Sequence, residues 1–201
     1  QYENVCAVYL ADNSGACGKP RNEGMKLAAG KYVMFLDPDD LYEPKACEIL
    51  YQEMEQGAYS CAAGYYKEIN EDGELITENV YQSMDIRPGI YELPGQIDAA
   101  IQIRSGLWAK IYRRDLMEHA KLKALEGVPG QDMVFYMEYI LASKNMKYVD
   151  EPIVLYRIRD KKDKSVSFLY NRWFFDGINQ SYRRCLEIFR DANLEKTFDL
   201  P

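Results

Sequence analysis

The stretch Tyr32-Val33-Met34-Phe35-Leu36-Asp37-Pro38-Asp39-Asp40 joins five apolar residues to three carboxylates. The apolar run at 32–36 predicts a strand that is buried on both faces, as in a parallel sheet. The three carboxylates then fall at the carboxyl end of that strand, which is where ligands bind in open α/β sheets. A hard divalent cation such as Mg²⁺ or Mn²⁺ would neutralise their mutual repulsion. The stretch therefore predicts a metal–phosphate site, and a solvated acidic turn is the open alternative.

The composition limits the class of protein. At 201 residues the chain is long enough for one sizeable domain. Its formal net charge of -7 is opposite to the basic surface that is typical of nucleic-acid-binding proteins, so we expect no nucleic-acid partner. The five cysteines are scattered and form no C-x-x-C pair, which favours reduced thiols in a cytoplasmic setting. No apolar run approaches the roughly 18 residues of a membrane-spanning helix.

The order of the predicted elements indicates an α/β fold. Apolar periodicity, together with Gly and Pro punctuation, separates strands from helices, and residues 88–95 are expected to be irregular. The predicted strands lie at 5–10, 31–36, 58–69, 74–77, 107–112, 147–149 and 153–158. The predicted helices lie at 20–29, 44–56, 97–104, 115–122, 132–143 and 169–192.

The last predicted helix is amphipathic. Its apolar residues recur at spacings of three and four and form one stripe of Phe174, Ile178, Tyr182, Cys185 and Phe189. Such a stripe is typical of a helix that packs on its own domain. Docking to a membrane surface or to a partner remains the alternative.

The acidic turn allows more than one chemistry. A calcium loop is excluded because Leu41 is no ligand and Tyr42 stands where the sharp turn requires glycine. An aspartyl-phosphate hydrolase of the haloacid dehalogenase type also has a strand that ends in Asp-x-Asp, with Asp37 as nucleophile and Asp39 as acid and base. That hypothesis stays open, although such enzymes have Thr or Val at the position of Leu41 and carry the motif on their first strand.

Residues 18–40 resemble a stretch shared by family 2 glycosyltransferases. That family has an Ala-Arg-Asn-x-Gly helix, an Ala-x-Gly-Glu-Tyr turn and then Phe-Leu-Asp-Ser-Asp-Asp. This chain has Arg21-Asn22-Glu23-Gly24, Ala28-Ala29-Gly30-Lys31-Tyr32 and Phe35-Leu36-Asp37-Pro38-Asp39-Asp40 in the same order.

Three later segments extend the resemblance. Leu107-Trp108-Ala109-Lys110-Ile111-Tyr112-Arg113-Arg114 is similar to the family's Lys-Leu-Tyr-Arg-Arg segment. Gly130-Gln131-Asp132-Met133-Val134-Phe135 is similar to its Glu-Asp-x-x-Phe motif, with Gln131 in place of Glu. Residues 151–167 resemble its closing strand and Ser-x-Ser turn. Four segments in the right order indicate the family far more specifically than any one of them.

The resemblance implies an α/β fold of the GT-A (Rossmann-like) type, with a mixed sheet flanked by helices. It implies metal-dependent, inverting transfer of a sugar from a nucleotide-sugar, expected to be a UDP-sugar, to a hydroxyl of a saccharide or lipid-linked acceptor. The implied setting is cell-surface polysaccharide synthesis in the cytoplasm, at the inner face of the plasma membrane, with peripheral membrane association as one expectation.

The resemblance also implies roles for individual residues. Mg²⁺ or Mn²⁺ would be held by the three carboxylates of the acidic turn, and Asp132 would be the general base, with a plain helix N-cap as its alternative. The residues implied for the donor are Arg21, Asn22, Asp37, Asp39, Asp40 and Arg157. The alternative for Arg21 is an exposed surface position, and the alternative for Arg157 is a place in the solvated basic run that continues to Lys164. Those proposed to line the acceptor side are Trp108, Lys110 and Arg114, and a core position is the alternative for Trp108.

Two segments of the family are absent from this chain. They are its opening strand of the type Val-Ser-Val-Ile-Ile-Pro-Val-Tyr-Asn and its Asp-Asp-Gly-Ser segment, which line the base-binding half of the nucleotide pocket. We therefore expect residues 1–168 to be a GT-A domain that lacks its first strands, followed by an amphipathic helical appendage at 169–201. A non-catalytic nucleotide-sugar-binding module remains a further alternative.

Overall fold

The structure, a computed structural model, describes residues 3–80, 86–103, 105–159 and 171–194. The strands are β1 Tyr32–Met34, β2 Leu41–Tyr42, β3 Cys61–Ile69, β4 Leu75–Thr77, β5 Gly89–Glu92, β6 Lys110–Arg113 and β7 Asn145–Arg157. The helices are α1 Gly18–Leu27, α2 Ala46–Gln56, α3 Ile97–Gln102, α4 Arg114–His119, α5 Gln131–Ala142 and α6 Arg172–Asp191. The predicted Ser-x-Ser turn at 165–167 and the predicted helix start at 169–170 lie outside the described residues.

The described strands form one mixed sheet. Its order is β1-β6-β3-β7-β2, with β4 beside β3 and β5 beside β7. The long central pair β3 and β7 is parallel, and the other pairs are antiparallel. Apolar side chains of β3, β6 and β7 pack with those of α2 and α5 in one hydrophobic core. The core thus lies between the sheet and its helices. The predicted mixed sheet flanked by helices is confirmed.

The strand before the acidic turn differs from its prediction. β1 pairs antiparallel with β6, no described strand pairs with its other edge, and its residues are half-buried. The predicted parallel strand buried on both faces is therefore wrong. An unbroken apolar run looks the same in either setting, because periodicity does not reveal the number or direction of the neighbouring strands.

Two short segments reverse their predicted structures. Residues 5–10 form no strand, and Val5 and Tyr9 are 67% and 92% exposed. The segment 88–95, predicted to be irregular, contains β5, which pairs with residues 145–148 of β7. Pairing decides both cases, because a short apolar segment becomes a strand only where a partner edge is available.

Pro152 does not divide the last strand. β7 runs through it, whereas the sequence predicted two strands. Residues 145–148 pair with β5 and residues 154–155 pair with β2, so Pro152 lies between the two paired segments. On its opposite side β7 pairs with β3, and the register of that pairing shifts on both sides of Tyr65, the residue opposite Pro152. A proline is tolerated at such an interruption because fewer ladder bonds depend on its missing N–H.

The C-terminal helix α6 packs on α5. Cys185 and Phe189 are fully buried, and Ser181 Oγ donates a hydrogen bond to the Pro129 carbonyl at 2.8 Å. The predicted packing of the amphipathic stripe is confirmed for this half of the helix, and the division of the chain at 168 stays a prediction. No helix within the described residues is long and apolar enough to cross a membrane.

Candidate functional site

A cavity of about 480 Å³ lies where the acidic turn meets the first turns of α1 and α5 and the N-terminal half of α6. This volume is within the range of small-molecule sites. The residues that matter for its chemistry are Cys17, Arg21, Asp37, Trp108, Gln131, Asp132, Tyr156, Phe174, Ile178 and Tyr182. The cavity thus brings together one predicted donor-binding arginine, one carboxylate of the acidic turn, the predicted base and one predicted acceptor residue.

Glycine at position 18 allows α1 to begin close to the chain before α5. A Cβ atom on Gly18 would lie 1.9 Å from the Leu125 carbonyl oxygen, so no larger residue fits there. The close approach sets the first turn of α1 against the cavity, and that turn carries Arg21.

Arg21 forms an ion pair with the acidic turn. Its Nη2 donates to Asp37 Oδ1 at 2.7 Å, and its side chain is only 9% exposed. Its Nη1 is buried and has no hydrogen-bond partner among the described residues. Burial lowers the pKa of the guanidinium, but the carboxylates of Asp37 and Asp132 outweigh this and raise the pKa above its ordinary value. A buried cation with an unused donor is suited to an anionic ligand.

Asp40 is the buried member of the acidic turn. Its Oδ1 accepts a hydrogen bond from the Arg157 amide at 2.9 Å, and its Oδ2 is buried without a partner in the described chain. Burial raises the pKa of Asp40 to about 6, with Asp39 and Asp37 adding to the rise and the Arg157 amide opposing it. Its predicted part in metal or donor binding stays a prediction.

The end of β7 holds the acidic turn in place. Arg157 Nε donates to the Asp39 carbonyl at 3.0 Å, and its Nη1 donates to the carbonyls of Asn70 and Glu71. Two residues later, Arg159 Nη2 lies 3.1 Å from Asp39 Oδ2. Arg157 therefore stabilises the turn by hydrogen bonds to backbone carbonyls. Its predicted contact with the donor stays a prediction.

The carboxylates of the acidic turn are metal ligands by chemical type only, and their predicted part in binding Mg²⁺ or Mn²⁺ stays a prediction. Within the described residues, no group of three or more His, Cys, Asp or Glu side chains is arranged to hold a metal ion. Mg²⁺ in phosphate-transfer sites commonly uses only one or two carboxylates together with substrate oxygens. Asp37 and Asp39 have side chains 27% and 28% exposed, and each pairs one oxygen with an arginine, Arg21 and Arg159 respectively. The second oxygen of each carboxylate is the candidate metal ligand.

Asp132 is the second residue of α5 and does not cap it. The cap position is Gly130, whose φ of 75° lies in the left-handed region that favours glycine. The alternative that Asp132 is a plain N-cap is therefore wrong. Its Oδ1 accepts a bond from the Met133 amide at 3.1 Å, and its carboxylate lines the cavity with Arg21. Beside it, Gln131 is 6% exposed, and its Oε1 has no partner among the described residues.

Only Trp108 of the three predicted acceptor residues lines this cavity. Trp108 is also 5% exposed, and its ring stacks on that of Tyr156 with the two centroids 5.3 Å apart. It therefore belongs to the core as well as to the wall of the cavity. Lys110 is 2% exposed, donates to the Gly106 carbonyl at 2.7 Å and lies over the Tyr136 ring. Arg114 lies on a separate groove. The structure thus does not bring Lys110 and Arg114 to the cavity.

Asn22 ties α1 to the chain before α5. It is 7% exposed, and its Nδ2 donates to the Ala124 carbonyl and to Glu126 Oε1, both at 2.9 Å. Its Oδ1 accepts from the Ala124 amide at 2.8 Å. These bonds use the polar atoms that would contact a nucleotide, so the predicted donor role of Asn22 finds no support in its placement.

Replacing Asn22 by alanine is expected to lower the free energy of unfolding by roughly 2 to 4 kcal/mol, because the buried amide and carbonyl of Ala124 lose their side-chain partner. Urea denaturation at equal m-values measures this change. The control is Asn13→Ala, which removes one exposed bond to the Gly15 amide and should cost well under about 1 kcal/mol. Equal losses in the two variants would contradict the structural role of Asn22.

Several cavity residues carried no functional prediction. Phe174 and Tyr182 belong to the amphipathic stripe, which predicted packing, and no motif indicated Tyr156 or Cys17. Cys17 directly precedes α1, and burial raises the pKa of its thiol above the ordinary value, with Arg21 opposing and Asp37 and Asp132 adding to the rise. A protonated thiol at this position is a weak nucleophile.

Comparison with known proteins identifies the family of this chain and its fold. A family model described as "Glycosyl transferase family 2" matches residues 1–118. The putative glycosyltransferase EpsH of Bacillus subtilis is 26% identical over 161 residues, which are 78% of this chain and 45% of EpsH. The poly(ribitol-phosphate) β-N-acetylglucosaminyltransferase TarP of Staphylococcus aureus is 24% identical over 195 residues, which are 95% of this chain and 58% of TarP.

A solved structure shows the same fold. S. aureus TarS 1-349 in complex with UDP-GlcNAc superposes with a TM-score of 0.72 at 22% identity, over 94% of this chain and 54% of that one. The chain therefore spans about half the length of EpsH, of TarP and of this TarS chain. Because the family model covers more than half of the 201 residues, the chain belongs to glycosyltransferase family 2 and has its GT-A fold.

Proposed function

We propose that this chain carries the phosphate-binding and catalytic part of a metal-dependent, inverting glycosyltransferase that uses a nucleotide-sugar donor. The observation that carries the proposal is the common cavity of Arg21, Asp37 and Asp132. A buried cation paired with a partly exposed carboxylate suits a diphosphate and its metal, and a second carboxylate nearby suits proton removal from an acceptor.

The phosphate end of the site is formed by Arg21 and the acidic turn. Asp37 and Asp39 would hold Mg²⁺ or Mn²⁺, which when bound supplies positive charge where the leaving diphosphate becomes more negative. Arg21 Nη1 would donate to a phosphate oxygen, because this atom has no partner among the described residues while Nη2 is bound to Asp37. Arg157 and Arg159 hold the turn that presents these carboxylates.

The acceptor end is formed around Asp132. Its Oδ1 accepts a bond from the Met133 amide, which leaves Oδ2 to take the proton of the attacking hydroxyl. Deprotonation as the hydroxyl attacks makes it a better nucleophile. A single displacement of this kind inverts the configuration at the anomeric carbon.

The relatives support the substrate class. Solved complexes of TarS contain UDP and UDP-GlcNAc, and TarP is named as a poly(ribitol-phosphate) β-N-acetylglucosaminyltransferase. We therefore propose a UDP-sugar donor and an acceptor in cell-surface polysaccharide synthesis, acting in the cytoplasm at the inner face of the plasma membrane. The aspartyl-phosphate hydrolase is not favoured, because the Asp37 carboxylate is bound to Arg21 and the family model is that of a glycosyltransferase.

Release of UDP from UDP-glucose and UDP-GlcNAc in the presence of Mn²⁺ tests this proposal. We expect UDP release that stops when EDTA removes the metal, and no hydrolysis of p-nitrophenyl phosphate. Phosphate-ester hydrolysis that Asp37→Asn abolishes would instead support the hydrolase. Tight UDP binding without release of UDP, with or without added saccharides, would instead support a non-catalytic binding module.

A further inference from the structure

We propose that the N-terminal half of α6 forms the acceptor subsite, in which Phe174, Ile178 and Tyr182 seat an uncharged pyranose ring of the acceptor glycan beside Asp132. The inference rests on the proposed function, because it names the part of the cavity that would hold the second substrate. It assigns a substrate-binding role to a helix whose sequence predicted packing or docking.

The apolar stripe of α6 has two environments. Its later members, Cys185 and Phe189, are fully buried in the core. Its earlier members, Phe174, Ile178 and Tyr182, are half-buried and line the cavity. A helix that only packed on its domain would bury the stripe along its whole length. The earlier half instead presents aromatic and aliphatic surface to the cavity that contains the proposed base.

Small residues fix this half of α6 against the segment that leads into α5. A Cβ atom on Gly177 would lie 2.4 Å from Pro129 Cδ, so a side chain at position 177 would clash with Pro129. Ser181 Oγ donates to the Pro129 carbonyl at 2.8 Å. Gly130 adopts a φ of 75°, and a Cβ there would lie 3.1 Å from Ile178 Cδ1. These contacts fix the wall against Pro129 and Gly130, the segment that leads directly into α5 and Asp132, and a binding surface needs such support.

The chemistry of this end of the cavity suits an uncharged sugar. Aromatic rings offer apolar faces for the C–H faces of a pyranose, and the stacked pair Trp108 and Tyr156 adds two more rings to those of α6. Gln131 Oε1 is buried without a partner in the described chain and can accept a bond from a sugar hydroxyl. The cavity contains the carboxylates of Asp37 and Asp132, and the one cation among its described residues, Arg21, is already paired with Asp37. A ring that lies beside Asp132 is therefore more favourable when it is uncharged than when it carries a phosphate.

Phe174 and its neighbour Phe175 provide a matched pair of variants. Their rings contact each other at 5.8 Å, so either alanine substitution removes that contact. Only Phe174 lines the cavity, whereas Phe175 is 56% exposed. The difference between the two variants therefore isolates the wall of the cavity from the local packing of the helix. Tyr182→Leu is a second variant of the same wall, at a position that is not in the first turn of α6.

The experiment is an amide NMR titration of the chain saturated with UDP and Mg²⁺, using methyl β-D-glucopyranoside and methyl N-acetyl-β-D-glucosaminide as probes. We expect shifts at the amides of Asp132 and of residues 174–182. In Phe174→Ala and Tyr182→Leu the saccharide Kd should rise by roughly fivefold to tenfold, while Phe175→Ala stays near the wild type. The amide spectrum of each variant shows whether it is folded, and its UDP affinity should be unchanged.

Three results would overturn the inference. If the wild type binds UDP but its amides do not shift with either saccharide, the α6 subsite alone is overturned. The same follows if Phe174→Ala and Phe175→Ala bind the saccharides with equal Kd. Failure of the wild type to bind UDP would overturn the proposed function and the subsite with it.

Discussion

Asp132→Asn is expected to slow sugar transfer by roughly 10²-fold to 10⁴-fold, the usual contribution of a general base. The asparagine can still accept the bond from the Met133 amide, so the first turn of α5 should keep its structure. What it cannot do is take the proton of the acceptor hydroxyl. UDP binding should not weaken, because the substitution removes a negative charge from the surroundings of Arg21. The rate of UDP release and the UDP affinity are the two measurements.

Asp98 provides the control for Asp132. It is likewise the second residue of a helix, here α3, but it is exposed and lies outside the cavity. Asp98→Asn therefore repeats the loss of a carboxylate near a helix N-terminus without touching the site. We expect its transfer rate to equal that of the wild type. Transfer by Asp132→Asn at the rate of Asp98→Asn would remove Asp132 from the mechanism.

Arg21→Gln is expected to weaken UDP binding by roughly 100-fold, because truncating one member of a buried ion pair in a binding site typically costs about 2 to 5 kcal/mol. The variant loses both the partner of Asp37 and the unused donor at Nη1. Arg21→Lys should bind UDP nearly as weakly as Arg21→Gln. The lysine ammonium cannot reproduce the planar guanidinium that donates to Asp37 and to a phosphate at the same time. Calorimetry with UDP and Mn²⁺ measures both affinities.

Arg114→Gln is the matched control for Arg21. Arg114 also has its guanidinium bound to backbone and carboxylate, through the Gly30 carbonyl and Glu118, but it lies in a separate groove. We expect its UDP affinity to stay at the wild-type value. A loss in Arg114→Gln as large as that in Arg21→Gln would mean that the phosphate end of the site has been assigned to the wrong surface.

The sequence predicted the parts of the site that sit in contiguous motifs. Arg21 and Asp37 are sixteen residues apart and form an ion pair, and their predicted positions on a helix start and a strand end agree with α1 and β1. A cation at a helix start and a carboxylate after a strand limit the ligands that such a site can bind, so residue type and position together predicted this part of the site. Helix periodicity likewise located α2, α5 and α6 to within a few residues, because amphipathic patterns are local.

The features that depend on distant contacts were not predictable. Lys110 and Arg114 belong to a recognisable motif, but only the fold shows that Lys110 donates to the Gly106 carbonyl and that Arg114 points to another groove. The same applies to Asn22, whose partner Ala124 is 102 residues away. The stripe of α6 was visible in the sequence, but periodicity does not tell whether an apolar side chain faces a core or a cavity.

Calorimetric titration of UDP tests most directly whether the acidic turn binds a nucleotide diphosphate through a metal ion. Wild type in Mn²⁺, wild type in EDTA and Asp39→Asn in Mn²⁺ are compared. We predict that EDTA raises the Kd of the wild type for UDP by roughly tenfold or more. The Kd of Asp39→Asn in Mn²⁺ should equal that of the wild type in EDTA. UDP binding that is equal in Mn²⁺ and EDTA, or a full Mn²⁺ effect in Asp39→Asn, would contradict metal binding by the acidic turn.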